Sequence, residues 1–161
     1  MTRTALVTGA SGYLGGRLVP RLLAAGYRVR AMTRDAHRLR DLPWAGQVAV
    51  AQADALDADA LRPALRGVDV AYYLVHSIDS PGDFTERDRR AAATFAAAAR
   101  EAGVRRIVYL GGLTPPGTRL SAHLASRWEV GEILLDSGVP TAVLQAAVIL
   151  GSGSASFEML R

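Results

Sequence analysis

Strand-like apolar runs alternate with helical stretches along this 161-residue chain, and that alternation restricts its folds more than any other feature. Six runs read as strands: 4 to 8 (TALVT), 28 to 32 (RVRAM), 47 to 53 (QVAVAQA), 69 to 75 (DVAYYLV), 106 to 111 (RIVYLG) and 141 to 150 (TAVLQAAVIL). Amphipathic or alanine-rich stretches lie between them at about 12 to 25, 57 to 66, 84 to 102 and 120 to 137, with a shorter one near 35 to 42. Gly26, Gly67, Gly103 and Gly138 each follow a helical stretch and precede a strand, where a left-handed C-cap glycine belongs. Near-continuous apolar strands separated by helices describe a parallel sheet covered on both faces, and right-handed crossovers make it doubly wound. The expected fold class is α/β, a parallel sheet of about six strands with helices on both faces, in one domain spanning residues 1 to 161.

A chain of this length buries roughly 70% of its extended surface, enough for a core without covalent staples. It has no cysteine, which fits a reducing compartment, and no charged segment leading into a signal-like apolar run, so a cytoplasmic location is expected. The longest uncharged stretch, 137 to 157, is long enough to span a membrane, but Pro140, Gln145, Gly151 and Gly153 break it into a turn, a buried strand and a polar loop. No membrane association is expected. All 19 basic residues are arginine, and they are scattered along the chain, so the formal charge of +4 does not indicate nucleic acid. The densest group, ERDRRAAA at 86 to 93, interleaves acids and bases at helical spacing as a solvated helix face does. Pro20 lies inside the first helical stretch, where it removes the hydrogen bond to Gly16, and the small residues Gly15 and Gly16 are placed to relieve its crowding. The last residues, GSGSASFEMLR, read as a polar loop, a serine N-cap and the first turn of a helix, so a substrate-binding part is expected beyond residue 161.

The segment TGASGYLG (8 to 15) follows the first strand and opens a helix. Glycines at 9, 12 and 15 supply a tight turn, a side-chain-free approach for a pyrophosphate and close helix packing, with the phosphates facing the helix N-terminus. Ser11, Tyr13 and Leu14 complete this candidate dinucleotide site. A carboxylate at the end of the second strand would hold the ribose of NAD(H), but that position falls at Thr33, with Arg34 beside it. An uncharged threonine does not repel a 2′-phosphate and an arginine fork binds one, so NADP(H) is preferred and NAD(H) is the alternative. Asp35 is the residue able to reverse this, and pairing with it is the ordinary alternative role for Arg34. Asp54, followed by Ala55, stands where a carboxylate would accept from the adenine amino group, or it is a turn acid that caps the next helix with Asp57. Leu74, Val75 and His76 end the fourth strand on the edge where ligands lie in such sheets, His76 either approaching the nicotinamide ribose or merely ending the strand.

TGASGYLG, the arginine after strand two, DALD, YYLVHS and YLGGL together resemble the short-chain dehydrogenase/reductase superfamily, and in particular its atypical NmrA-like and NAD(P)H-binding bacterial members. The resemblance covers the whole chain and implies a Rossmann fold. It also implies a catalytic serine, tyrosine and lysine, but the matching positions carry Gly111 or Gly112, His123 and Arg127. Glycine cannot orient a carbonyl through a side chain, which leaves Thr114 as the one replacement. His123 and Arg127 share a helix face at i, i+4, so the guanidinium would lower the imidazole pKa and keep it neutral, a weak general acid. In the other reading, Leu124, Trp128, Gly131 and Leu135 form the buried stripe and His123 and Arg127 flank it.

Two functions remain open on this reading. One is an oxidoreductase without the usual triad, acting on an unidentified small molecule with chemistry that the cofactor carries. The other is a non-catalytic module that reads the NADPH/NADP⁺ ratio for a protein partner, as NmrA-like regulators do. A transient redox role in an epimerase or dehydratase also needs an acid/base pair that no residue here supplies. The alanine-rich stretch 91 to 103 suits helix packing in a homodimer and packing on its own sheet equally well.

Overall fold

The computed structural model describes residues 2–76, 84–114, 117, 120–147, 149 and 151. Six strands form one parallel sheet: β1 (Thr4–Thr8), β2 (Arg28–Thr33), β3 (Ala49–Gln52), β4 (Val70–Tyr73), β5 (Arg106–Gly112) and β6 (Thr141–Ala146). Four helices connect them: α1 (Tyr13–Ala24), α2 (Ala58–Leu65), α3 (Phe84–Glu101) and α4 (Ala122–Leu135). The stretch near 35 to 42 is a short 3₁₀ turn over Ala36–Leu39. Strand order is β3-β2-β1-β4-β5-β6, so the chain winds outward from β1 in one direction and then from β4 in the other. The carboxyl ends of β1 and β4 therefore flank the point where the winding reverses, which is where such sheets open a crevice.

Alternation along the central strands divides the core. Ala5 and Val7 pack with Val19, Leu22, Leu39 and Trp44 on the α1 face. Leu6 packs with Tyr73, Phe95, Ile107 and Leu134 on the face covered by α2, α3 and α4. Gly26, Gly67, Gly103 and Gly138 all have φ between +69° and +81°, the left-handed conformation expected after each helix. The carbonyl of Gly16, left without its helical partner by Pro20, accepts a hydrogen bond from Trp44 Nε1 at 3.2 Å. A tryptophan from the loop beyond β2 thus replaces the bond that proline cannot make.

Three expectations need correction. In α4 the buried residues are Ser126, Val130, Gly131 and Leu134, whereas Trp128 is 50% and Leu135 47% exposed. Apolar residues surround this helix, so periodicity does not select a face; small side chains do, because Ser126 meets α3 and Gly131 lies against Tyr109 and Val143. Strand β6 ends at Ala146 and is an edge strand, with Leu144 56% exposed, because no described strand pairs with its outer side; residues 148 and 150 of the expected run lie outside the described residues. Within ERDRRAAA, Arg89 reaches Glu86 and Glu129 as a solvated face should, but Asp88, Ala91 and Ala92 are buried. No helix among the described residues is long and apolar enough to cross a membrane.

Candidate dinucleotide cleft

Gly9 leaves β1 with φ +62°, and its carbonyl accepts the Gly12 amide at 2.9 Å, closing the turn. Gly12 is the N-cap of α1 and has no side chain to satisfy the first amides of the helix. The N-termini of α2 and α4 differ: Asp57 caps one and Ser121 the other. Tyr13, Leu14 and Gly15 form the first turn of α1, and their amides and the helix dipole are left to an anion. A Cβ on Gly15 would lie 2.3 Å from the Gly9 carbonyl oxygen and 2.7 Å from Ala10 Cα, so only glycine lets the helix seat on its own loop. Thr8, the first residue of the TGASGYLG segment, joins the two central strands: its hydroxyl donates to the Tyr72 carbonyl at 3.1 Å and accepts the Leu74 amide at 2.8 Å.

A cleft of about 510 Å³ opens at this junction. Gly9, Ser11 and Gly12 line it from the loop, Arg34 from the end of β2, Asp54 and Ala55 from beyond β3, and Leu74, Val75 and His76 from beyond β4. Tyr13, Leu14 and Gly15 lie behind Gly12 rather than on the wall, and the Tyr13 ring carries the Arg17 guanidinium 3.7 Å above its centre. The Thr33 hydroxyl is engaged with the Asp35 backbone, and the Asp35 carboxylate accepts the His37 amide at 2.9 Å. Arg34 is exposed and forms no ion pair among the described residues, with Asp35 or any other acid. Arg38, four residues on, faces the same cleft and was not legible as a site residue because a lone arginine in a polar turn has no signature. Asp54 accepts the Leu56 amide at 3.0 Å and lies 3.8 Å from Arg87, a residue of α3 that also lines the cleft. Side-chain-free turn, uncapped helix end and a crevice of this size fit a dinucleotide without rearrangement.

His123 lies near the cleft mouth, its ring centre 6.5 Å from that of His76 and nearly perpendicular to it. Burial, then the positive charge of Arg127, then His76 hold its pKa below 6.5, against an opposing pull from Asp88. Arg127 is committed to the scaffold: Nη2 donates to the Leu110 carbonyl at 2.6 Å, while the Arg127 carbonyl accepts from the Tyr109 hydroxyl at 3.0 Å. A Cβ on Gly112 would lie 2.6 Å from Leu124 Cδ2, and Thr114 accepts from the Gln145 amide at 3.2 Å. Because His123 has a folded pKa below its unfolded value, the unfolded chain takes up the proton more readily, and acidification through 6.5 removes stability. An NMR titration of His123 should give a midpoint below 6.5, moving upward in Arg127→Gln; a midpoint above 6.5 would contradict this description.

Comparison with known proteins agrees with this geometry. Residues 9–137 match the model of the NAD(P)H-binding family. A curated relative, sterol demethylase protein B of Methylococcus capsulatus, is 32% identical over 173 aligned residues, covering 92% of this chain and 52% of that protein. Among solved structures, an Escherichia coli NADPH-dependent quinone oxidoreductase complexed with NADPH is 28% identical with a TM-score of 0.73, covering 88% of this chain and 48% of that one. Triphenylmethane reductase of Citrobacter sp., complexed with NADP(H), shares the fold at 24% identity and a TM-score of 0.75, over 90% of this chain and 50% of that one. The chain thus spans about half the length of these relatives. Fold, cleft and family match together assign it to the NAD(P)H-binding proteins of the short-chain dehydrogenase/reductase superfamily.

Proposed function

We propose that this chain is the cofactor-binding part of an atypical oxidoreductase that prefers NADP(H) to NAD(H) and works without the usual serine, tyrosine and lysine. The observation that carries the cofactor preference is the free Arg34 guanidinium beside a neutral Thr33, with Arg38 on the same wall. Gly9, Ser11, Gly12 and the first amides of α1 hold the pyrophosphate, Asp54 and Ala55 receive the adenine, and Leu74, Val75 and His76 border the nicotinamide half. The bound cofactor supplies hydride transfer. The chain supplies position, and among the described residues its candidate proton donor is His123, kept largely neutral near pH 7.

A second reading, a regulatory module of NmrA-like kind that binds the cofactor without turning it over, is supported by Arg127. Its guanidinium is spent on the Leu110 carbonyl instead of activating an acid. Cofactor oxidation followed at 340 nm in fractionated metabolite pools separates the two. Turnover that falls at least tenfold in His123→Ala supports the first reading. Unchanged turnover in that variant removes His123 as proton donor, and tight NADPH binding with no turnover in any fraction supports the second.

A further inference from the structure

Asp88 is the buried charge that the cofactor assignment leaves unused. It lies on α3, 6% exposed, on the wall of the cleft, and its carboxylate accepts a hydrogen bond from Ser126 Oγ at 3.3 Å. It joins no ion pair among the described residues. Its arginine neighbours are engaged elsewhere, Arg87 with Asp54 and Arg89 with Glu86 and Glu129. A buried carboxylate held by one neutral hydroxyl is costly to keep, and the low dielectric around it screens its field weakly. Ser126 stands one turn beyond His123 on α4, and the cleft wall that carries Asp88 also carries Leu74, Val75 and His76, which border the nicotinamide half in the reading above. His123, pushed toward its neutral form, does not cancel this charge, and the nearest fixed cation on α4 is Arg127.

We propose that Asp88 is a specificity-determining residue for the charge on the nicotinamide ring, favouring the oxidised pyridinium form over the reduced form. The proposal rests on the dinucleotide reading. The two forms differ by one positive charge on the ring, so a nearby fixed negative charge acts on one and not on the other. Arg127 opposes it, which sets the absolute ratio of affinities, but removing Asp88 changes that ratio in one direction only. The chain would then report the oxidation state of its cofactor through a single side chain.

The test is a calorimetric titration of the chain with NADP⁺ and with NADPH, repeated on Asp88→Asn, Asp88→Ser and Ser126→Ala, each checked for folding by circular dichroism. Both neutral variants should weaken NADP⁺ relative to NADPH by about fivefold or more. Ser126→Ala keeps the carboxylate and should leave the ratio within about twofold of the parent. The shift should persist at 0.5 M salt, because a buried charge is poorly screened. An unchanged ratio in both folded neutral variants, or an equal loss of both ligands, overturns the proposal while the dinucleotide reading stands. Binding of neither ligand by the parent overturns both.

Discussion

Gly15→Ala is expected to destabilise the chain by about 3 kcal/mol, because the new methyl has no space to enter. Its Cβ would fall 2.3 Å from the Gly9 carbonyl oxygen and 2.7 Å from Ala10 Cα, both backbone atoms of the turn that α1 packs against. Neither can swing aside as a side chain would, so the helix must lift from its loop. Gly16→Ala is the internal control. Its Cβ would meet nothing nearer than the Ala10 carbonyl oxygen at 3.9 Å, and alanine there should stabilise by about 0.5–1 kcal/mol through helix propensity. Urea midpoints for the two variants should move in opposite directions. Lifting α1 also displaces the amides that face the pyrophosphate, so Gly15→Ala should weaken dinucleotide binding under conditions where the variant is still folded. A Gly15→Ala midpoint equal to the parent's would mean that the turn and helix are seated differently.

Arg34→Ala is expected to weaken NADPH binding about thirtyfold and NADH binding less than twofold, since a charge-assisted hydrogen bond to a phosphate is worth about 2 kcal/mol. The side chain is free to make that bond: it is exposed at the cleft and unpaired among the described residues. Asp35, the residue placed to attract it, instead accepts the His37 amide and starts the 3₁₀ turn. Arg38→Ala should produce a smaller loss in the same direction, and the double variant should approach NADH-like affinity for both ligands. Raising the salt concentration should narrow the gap, because both guanidinium groups are solvent-exposed. Equal losses for NADPH and NADH in Arg34→Ala would assign the arginine a structural role.

The fold was legible in the sequence to within a few residues at most boundaries, because the alternation of runs and the four C-cap glycines both report backbone conformation directly. The glycine motif was equally legible: each position has a steric reason, and Gly15 has the strongest. What remained hidden depends on choices between faces and on partners distant in sequence. Helix α4 carries apolar residues all round, so Trp128 and Leu135 seemed as fit for burial as Val130 and Leu134. Asp88 looked like one more charge in a solvated run, and only the approach of Ser126 from another helix explains its burial. The Trp44 bond to Gly16 and the Thr8 link between β1 and β4 span 28 and 64 to 66 residues, beyond the reach of any local pattern. His123 and Arg127 share a helix face in sequence, yet the geometry gives each residue a different position: Arg127 bound into the scaffold, His123 at the cleft mouth.

The central claim is that an uncapped helix end and a free arginine make this cleft a site for a phosphorylated dinucleotide. Calorimetric titration of the folded chain with NADPH and with NADH, side by side in one low-salt buffer, tests it most directly. A single site with NADPH bound at least tenfold more tightly than NADH is the predicted result. Equal affinities, or tighter binding of NADH, would contradict it.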